Sequence, residues 1–555
     1  MISGEEKLST KVTTTVLVLL LLSAVYLRFY HLGNPSFWVD EMNHVYAGMS
    51  LSKDEAPRFP SGVANERALI YSKMVGWSFS LFGVSESSAR LPSAVFGILS
   101  ILLIYWVGQD LFDRRVGLLA AFFLTFAHPA IGWSRTCRMY TLFQFLFLLG
   151  VYSFYKGFEA ERRHKLGEKK AWLQRLDVYL NAQGVRWPWL LLSALVFVVS
   201  LKVHQLTGLF AATLLVYWML GFLGRLFEEG PAKSLSSKYF LCLVLTTVAI
   251  VVALLAFNLT AFIKYALNFH PNWARYARAE DSHYYYWYLT SSDQFPLAAL
   301  FLIGAIQALA RLNKTALFFT VAFVVPVAFH SFVFSYKIAN YIFNVYPFFV
   351  LIIAYGLINI YTSETLRGAE ILKKIRLSGK AMSPRRLKLV VAALFLLWIP
   401  LTVWFRIAVK LPRIDSAGTN GVVTHYDWRG AANFVAHNRS PDDVVLATLP
   451  LTVLYYLGNV DFNLNQAHLD ESLKWETVAT NGRHHEFYTG VPSVESVSDL
   501  QKIMAASPNG WVIADKYRLH RTQYVSHELA QFIQTRLKKV WSDKKNTLVV
   551  FGWSS

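Results

Sequence analysis

Long apolar stretches dominate the first 408 residues of this chain. A helix that crosses a membrane needs about 20 mainly apolar residues, and a soluble globule of 555 residues would not be 54% hydrophobic and only 16% charged. The sequence predicts a polytopic α-helical membrane protein. We place eleven spans at roughly 12–30, 90–112, 115–131, 139–156, 188–203, 205–224, 239–262, 295–311, 315–334, 339–361 and 389–408.

The net charge of +19 belongs to this membrane part, because residues 409–555 carry 15 Lys and Arg against 14 Asp and Glu. With the N-terminus in the cytoplasm, the predicted cytoplasmic segments hold 25 Lys and Arg residues, including those of "EAERRHKLGEKK" and "LKKIRLSGKAMSPRRLK". Such a bias orients membrane proteins. The charge therefore predicts topology in a plasma or inner membrane rather than nucleic-acid binding. An odd number of spans places residues 409–555 outside the cytoplasm.

Two long loops are predicted on the outer side of the membrane domain, 1–408. The first, 31–89, contains the apolar piece "ALIYSKMVGWSFSLFG", which is too short to cross and predicts an interfacial helix. The second, 263–294, contains "NFHPNWARYARAEDSHYYYWY". Its aromatic residues are typical of a membrane-interface belt, and equally of a rim over a sugar site, since aromatic faces stack on sugars.

Residues 409–555 predict a separate small α/β domain. The segments "DWRGAANFVAHN" and "SHELAQFIQTRLKKVW" are typical of helices, and "DVVLATL", "GWVIAD" and "TLVVFGW" of strands. Alternating strands and helices favour an α/β fold. No catalytic or metal motif is found there, so we expect a structural role or acceptor docking.

Charged residues at the ends of predicted outer loops are the main functional candidates. They are Asp40 and Glu41, Glu66 and Arg67, Arg135 and Arg138 in "SRTCRMY", Lys202 in "LKVHQ", and Lys337 in "SYKIANY". All fall on the same predicted face, where the positive-inside bias leaves few cations. Convergent Arg and Lys side chains near a bilayer surface suit a phosphate ligand.

Each of these residues also has a purely structural interpretation. Lys and Arg often reach toward membrane interfaces without further function, and Asp40 is well placed to cap the helix predicted to follow it. The coincidence of five charged places on one face, rather than any single residue, favours a binding site.

The segments "FWVDE" and "GVSESSARLPSAVFGILSILLIYWVGQDLFDRRVGLLAAFFLTFAHPAIGWSR" resemble the GT-C superfamily of polyprenyl-phosphate-sugar glycosyltransferases. The resemblance is to the branch of protein O-mannosyltransferases and lipid A aminoarabinose transferases. It extends over 31–157 and more weakly to about 361, and does not include the tail. It implies a GT-C catalytic domain at 1–408.

The resemblance also implies roles for particular residues. Asp40 matches the family's catalytic aspartate and Glu41 the second acid of the pair, while "NERALIY" is similar to a family Glu-Lys pair, with Glu66 and Arg67 in its place. Many members carry an acid after "SR" in the next outer loop, whereas this chain has Arg138 and Tyr140.

The reaction implied is the transfer of a sugar from a polyprenyl-phosphate donor to an outer acceptor, a protein, lipid or polysaccharide, with inversion. Asp40 would orient or deprotonate the acceptor, and Arg67, Arg138, Lys202 and Lys337 would hold the lipid phosphate. A divalent cation stays open, with Glu66 and His204 or His270 as candidate ligands. Alternative functions are an oligosaccharyltransferase of the same superfamily, or a lipid or sugar transporter, which would carry ionisable residues near the middle of its spans.

Overall fold

The computed structural model describes residues 9–159, 178, 183–256, 282–291, 294–334, 337–362, 376–377, 380–381, 408–411, 418–419, 422–465, 477–480 and 483–554. Its first fifteen α-helices are α1 (Thr10–Phe29), α2 (Glu41–Leu51), α3 (Leu69–Phe82), α4 (Glu86–Leu111), α5 (Arg114–Phe126), α6 (His128–Ser134), α7 (Tyr140–Phe158), α8 (Trp187–Val203), α9 (Leu209–Glu229), α10 (Pro231–Leu235), α11 (Lys238–Ala256), α12 (Tyr284–Leu289), α13 (Phe295–Ala310), α14 (Lys314–Phe332) and α15 (Tyr346–Thr362). Two 3₁₀ segments, Gln205–Gly208 and Ala339–Val345, precede α9 and α15.

The predicted spans can be compared with these helices one by one. The first ten overlap described helices, and the eleventh, 389–408, lies almost wholly outside the described residues. Five described helical segments are long and apolar enough to cross a membrane, or six if a bent pair is one span. That pair, α5 and α6, replaces the single third helix that we predicted, with a bend of 62°. The chain is an integral membrane protein, and the count of eleven stays a prediction.

The chain divides into two compact units. The first contains Met1–Val25, Phe96–Ala130 and Tyr140–Val409, and the second contains Tyr26–Val95, Ile131–Met139 and Lys410–Ser555. In the first unit, helices pack at glycines: α4 meets α5 where Gly108 faces Gly117, and α13 meets α15 where Gly304 faces Gly356. A side chain at these glycines would collide with the neighbouring helix. Small residues let membrane helices approach this closely.

The second unit contains the C-terminal α/β domain, whose sheet the sequence predicted in part. Its five strands follow the order β10-β11-β9-β5-β6. The β5/β6 and β5/β9 pairs are parallel, whereas β9/β11 and β10/β11 are antiparallel. The strands are β5 (Val444–Ala447), β6 (Phe462–Asn463), β9 (Asn509–Asp515), β10 (Lys538–Ser542) and β11 (Leu548–Ser554). Short pairs form elsewhere in the chain: β1 (Arg376–Leu377) with β2 (Lys380–Ala381), β3 (Gly418–Thr419) with β4 (Thr424–His425), and β7 (Thr477–Thr480) with β8 (Arg483–Glu486).

Both faces of the five-stranded sheet are covered, because side chains alternate along each strand. Val512 and Ala514 of β9 pack in one buried cluster, while Ile513 between them packs in the other. The helices of this domain are α16 (Trp428–Asn438), α17 (Pro450–Leu457), α18 (Val497–Ala506), α19 (Lys516–Leu519) and α20 (His527–Arg536). The predicted α/β domain is confirmed.

One predicted element of this domain is wrong at its end. The sequence predicts one helix through "SHELAQFIQTRLKKVW", but α20 ends at Arg536 and β10 begins at Lys538. β10 pairs with β11 over Lys538–Ser542, so tertiary pairing outweighs the local helical pattern. The helices α17 and α18 were not predicted.

Candidate active site

Asp40 stands at the start of α2 in the second unit. It occupies the N-cap position of this helix, as the structural interpretation expected, but its carboxylate accepts no hydrogen bond from the backbone of the first turn, which the structure describes in full. The Asp40 side chain is 45% exposed. A helix N-terminus favours a negative charge. The Asp40 carboxylate is therefore stabilised at this position, yet it faces solvent and forms no hydrogen bond to the first turn of α2.

Glu41, the next residue, has the opposite environment. Its side chain is fully buried and forms an ion pair with Arg90 of α4, with Nε to Oε1 at 2.8 Å and Nη2 to Oε2 at 2.9 Å. The backbone N–H groups of Trp38 and Cys137 also donate to its carboxylate, at 2.8 Å and 2.6 Å. With four donors, both carboxylate oxygens are occupied. Glu41 therefore joins three segments, rather than facing a substrate.

Arg90 completes this buried pair. Besides Glu41, its guanidinium donates to the carbonyl oxygens of Leu32 and Pro35, each at 2.9 Å, and of Ser36 at 3.3 Å. All five N–H groups of the guanidinium thus have acceptors. Burial alone would raise the pKa of Glu41, but Arg90 and the hydrogen bonds outweigh burial and lower it. The charged pair fixes the loop that leads into Asp40.

Arg138 is the cation that lies next to Asp40. Its side chain is 1% exposed, its Nη1 donates to the backbone oxygen of Asp40 at 2.9 Å, and its Nη2 lies 3.9 Å from Asp40 Oδ2. The hydroxyl of Ser93 donates to the backbone oxygen of Arg138 at 3.0 Å, which fixes the loop from the α4 side. The structure thus brings together Asp40, Glu41 and Arg138, although 96 or more residues separate Arg138's loop from Glu41 and Asp40 in the chain.

His44 belongs to the same neighbourhood and was not among the predicted residues. It lies one turn beyond Asp40 in α2, is fully buried, and pairs through Nδ1 with Ser72 Oγ at 2.9 Å. Burial, and then the positive charges of Arg138 and Arg67, hold its pKa well below the ordinary range. His44 is therefore neutral at neutral pH. Its spacing of four residues from Asp40 was the only sequence signal.

Glu66 and Arg67 lie just before α3 in the same unit, and both are exposed. The charge of Arg67 is close enough to affect His44. Arg67 precedes Ala68, which has a left-handed backbone with φ of 47°, a conformation that non-glycine residues adopt at a cost of about 1–2 kcal/mol. The exposed guanidinium of Arg67 thus lies where the chain turns sharply into α3.

Arg135 is placed differently from Arg138, three residues away. Its guanidinium donates to backbone oxygens at the end of α1 and just beyond, with distances of 3.3 Å to Leu27, 3.2 Å to Arg28, 2.8 Å to Tyr30 and 3.0 Å to His31. The last carbonyls of a helix lack partners within it. Arg135 therefore caps α1, and these contacts occupy the group that we considered for phosphate.

The C-terminal domain contacts the loop before Asp40. His425 donates from Nδ1 to the backbone oxygen of Ser36 at 2.7 Å, and the hydroxyl of Tyr456 accepts from the N–H of Phe37 at 2.8 Å. Tyr456 in turn donates to Glu86 at 2.7 Å, and Arg429 pairs with the same carboxylate. The tail is thus bound to the loop that leads into the candidate site.

The other candidates described by the structure lie in the first unit. Tyr140 and His204 are neighbours, with ring centroids 5.9 Å apart, and Tyr140 Oη accepts from Asn340 at 2.5 Å. His204 Nδ1 accepts from Leu206 N at 3.2 Å and so caps a 3₁₀ turn. Lys202 is exposed in the last turn of α8. Lys337 is buried and donates to the backbone oxygen of Phe334 at 3.0 Å.

The residues predicted to bind a divalent cation, Glu66 with His204 or His270, do not form a metal site within the described part of the chain. Within it, no three His, Cys, Asp or Glu side chains form a group suited to a metal ion. Glu66 belongs to the second unit and His204 to the first. His270 and most of the loop 263–294 lie outside the described residues.

Comparison with known proteins gives one match in sequence and several in structure. A family model described as dolichyl-phosphate-mannose-protein mannosyltransferase matches residues 67–168. This range includes Arg67, Arg90 and Arg138 but begins after Asp40. A search of curated proteins finds no match.

Two solved structures share the fold over nearly the whole chain. ArnT from Cupriavidus metallidurans, bound to undecaprenyl phosphate, is 14% identical with a TM-score of 0.56, and the match covers 98% of each chain. The archaeal oligosaccharyltransferase AglB from Archaeoglobus fulgidus, in complex with an inhibitory peptide and a dolichol-phosphate, is 12% identical with a TM-score of 0.55. That match covers 91% of this chain and 69% of AglB.

These matches confirm the resemblance to the GT-C superfamily and the predicted fold class, a helical membrane domain followed by a small α/β domain. At 12–14% identity the likeness is one of fold. The assignment of individual residues rests on the geometry described above.

Proposed function

We propose that this protein is an integral-membrane glycosyltransferase that moves a sugar from a polyprenyl-phosphate donor to an acceptor outside the cytoplasm. The observation that carries the proposal is the contrast between two adjacent acids. Glu41 is buried and fully paired, whereas Asp40 is 45% exposed beside the buried guanidinium of Arg138. A half-exposed carboxylate on a rigid support is suited to orienting or deprotonating an acceptor.

The reaction is a single displacement with inversion. The acceptor oxygen attacks the anomeric carbon of the donor, the bond from that carbon to the phosphate oxygen breaks, and the electron pair leaves with the polyprenyl phosphate. Asp40 takes the proton of an acceptor hydroxyl, a contribution of about 10²–10⁴-fold. If the acceptor is a phosphate, it is already ionised and Asp40 positions it instead.

Cationic side chains hold the leaving phosphate in this proposal. Arg138 lies beside Asp40, and its guanidinium is a rigid planar group. Arg67 is exposed in the same unit. Lys202 and Lys337 belong to the first unit, and their part in binding the phosphate stays a prediction from the sequence. Losing one preorganised donor of this kind costs about 3–4 kcal/mol in the transition state. Neutral His44, near Arg138 and Arg67, leaves their positive charge undiminished.

The matched structures support a lipid-linked donor. ArnT is bound to undecaprenyl phosphate and AglB to a dolichol-phosphate. The match covers 98% of ArnT and 69% of AglB. The positive-inside bias of the sequence supports a site and a C-terminal domain on the outer side of the membrane.

The transporter alternative predicts ionisable residues in the middle of the spans. In the described helices that overlap predicted spans, Asp, Glu, Lys, Arg and His residues lie within about two turns of a helix end. The described spans thus offer no charged pathway, which favours the transferase.

The proposal is tested with purified full-length protein in lipid nanodiscs. Undecaprenyl-phosphate-linked mannose and undecaprenyl-phosphate-linked aminoarabinose are supplied with a membrane extract as the acceptor source, and release of undecaprenyl phosphate is measured. We expect release from one donor, and loss of about 10²-fold or more in Asp40→Asn. Asp54→Asn is the matched control, because Asp54 is an exposed acid of the same loop with φ of 58°, a conformation that Asn tolerates. Equal turnover in the two variants would refute the role of Asp40.

A further inference from the structure

A cavity lies in the second compact unit, at residues to which no role has been assigned so far. It has a volume of about 330 Å³, within the range of small-molecule sites, about 300–1,000 Å³. It is formed by the C-terminal half of α2 and the loop that follows. Its lining residues are Tyr46, Met49, Ser50, Lys53, Glu55, Ala56, Arg58, Phe59 and Pro60.

One wall of this cavity is a face of α2. Tyr46, Met49 and Ser50 are spaced three and four residues apart, which places them on one side of the helix. The hydroxyl of Tyr46 donates to the backbone oxygen of Leu451 in the C-terminal domain at 3.3 Å. The aromatic ring is thus fixed at both ends, by the helix and by this hydrogen bond.

The loop after α2 also lines the cavity and is held by backbone hydrogen bonds. The N–H groups of Lys53 and Glu55 both donate to the oxygen of Ser50, at 3.0 Å, and Phe59 N donates to Val63 O at 2.9 Å. The Phe59 ring packs edge-on against Tyr488, with centroids 4.8 Å apart. The cavity is therefore formed before a ligand binds, which reduces the entropy lost on binding.

The cavity is lined by cationic, acidic, aromatic and hydroxyl side chains. Lys53 and Arg58 are exposed cations, and Glu55 is the acid beside them. Arg58 Nη1 donates to Gly62 O at 2.8 Å, which fixes the guanidinium and leaves its other donors available. Two cations suit a carboxylate or phosphate, the aromatic rings of Tyr46 and Phe59 suit a sugar face, and Ser50 and Glu55 suit sugar hydroxyls.

From this combination we infer that the cavity is a subsite for an anionic saccharide, the part of the acceptor beyond the hydroxyl that reacts. Tyr46 to Ser50 follow Asp40 by six to ten residues in α2, which corresponds to about 9–15 Å along the helix axis. The role as an acceptor subsite rests on the proposed function, whereas the binding chemistry does not.

The test measures binding alone, with the full-length protein in zwitterionic nanodiscs and no donor present. Trigalacturonate, a carboxylate-bearing trisaccharide, is titrated and observed by saturation-transfer NMR. Maltotriose is the neutral counterpart, and triglutamate is the acidic peptide of similar charge. The double variant Lys53→Ala/Arg58→Ala removes the two cations. Lys73→Ala/Lys502→Ala removes two exposed cations elsewhere in the same unit and is the matched control.

We expect trigalacturonate to bind the unmodified protein and the control alike, and to bind Lys53→Ala/Arg58→Ala at least about tenfold more weakly, because two charge-assisted contacts are lost. Maltotriose should bind at least about tenfold more weakly than trigalacturonate. Absence of trigalacturonate binding, equal binding to the double variant, or triglutamate binding as tightly as the saccharide would each overturn the inference. Since no turnover is measured, none of these results depends on transferase activity.

Discussion

The backbone N–H of Phe37 donates a hydrogen bond to the hydroxyl of Tyr456 at 2.8 Å, across 419 positions of the chain. Phe37 is fully buried and lies three residues before Asp40. The same hydroxyl donates to Glu86 at 2.7 Å, so one side chain of the C-terminal domain satisfies both a loop N–H and a carboxylate at the start of α4. The C-terminal domain thus helps to hold the loop before Asp40 in place.

Tyr456→Phe removes this hydroxyl and keeps the ring. The N–H of Phe37 and the carboxylate of Glu86 each lose a partner, and a buried group left without one costs about 1–3 kcal/mol. We expect a lower unfolding temperature, and a kcat lowered by about 10–100-fold, because small displacements of catalytic groups are costly. Tyr455→Phe is the control, because no hydrogen bond of the Tyr455 hydroxyl is found in the described structure and its ring also packs on Phe37, at 5.3 Å. Equal kcat values for the two variants would show that the tail does not position the loop.

Glu41→Gln tests whether Glu41 is structural while Asp40 takes part in the reaction. The substitution leaves Arg90 buried without its counter-charge, which costs about 3–5 kcal/mol, whereas Asp40→Asn changes a half-exposed side chain and should alter stability by no more than about 0.5 kcal/mol. We expect Glu41→Gln to unfold at a clearly lower temperature and Asp40→Asn to lose turnover while keeping its unfolding temperature. Thermal unfolding in detergent, followed by intrinsic fluorescence, measures both. A stable Glu41→Gln protein without activity would instead place Glu41 in the chemistry.

Arg138 is tested by two substitutions that separate its charge from its shape. Lysine keeps the positive charge but cannot reproduce the two contacts to Asp40, at 2.9 Å to its backbone oxygen and 3.9 Å to its carboxylate. Glutamine removes the charge. If Arg138 stabilises the leaving phosphate, we expect kcat to fall by about 10²–10³-fold in Arg138→Gln and by less in Arg138→Lys. Equal losses in the two variants would mean that Arg138 only positions Asp40. Unfolding temperatures serve as the check on folding.

The elements that sequence predicts well here are those set by local chemistry. Span positions follow from runs of apolar residues, so the first ten predicted spans overlap described helices. The start of α2 at Glu41 coincides with the acid that precedes it, although the Asp40 carboxylate forms no capping hydrogen bond, and β5, β9 and β11 follow from short β-branched runs. At Lys538–Ser542 the sequence suits both a helix and a strand. The predicted helix is wrong there, because these residues pair with β11 as a strand.

The candidate site could be predicted only as a set of residues, because its internal pairing depends on distant contacts. Asp40 and Glu41 are adjacent and look equivalent in sequence, yet Glu41 is paired by Arg90, 49 positions away. Arg135 and Arg138 are likewise three residues apart, yet the first caps α1 and the second lies beside Asp40. An apolar helix with a single early arginine, such as Arg90 in α4, was a signal that this residue needs a partner.

His425 gives the site region a pH-dependent stability. Burial, and then the charge of Arg90, lower its pKa to about 4, although Glu41 and the bond to Ser36 act in the opposite direction. In the unfolded chain a histidine has a pKa of about 6.5, so between pH 6.5 and 4 the unfolded state binds more protons and stability falls as pH falls. The difference amounts to about 3 kcal/mol at pH 4. We expect His425→Gln, whose amide can still donate to Ser36, to flatten the fall in unfolding temperature over this range. His44 contributes in the same direction, so part of the slope remains. His437→Gln, at an exposed position of the same domain, is the control, and an unchanged slope in His425→Gln would contradict a buried neutral His425.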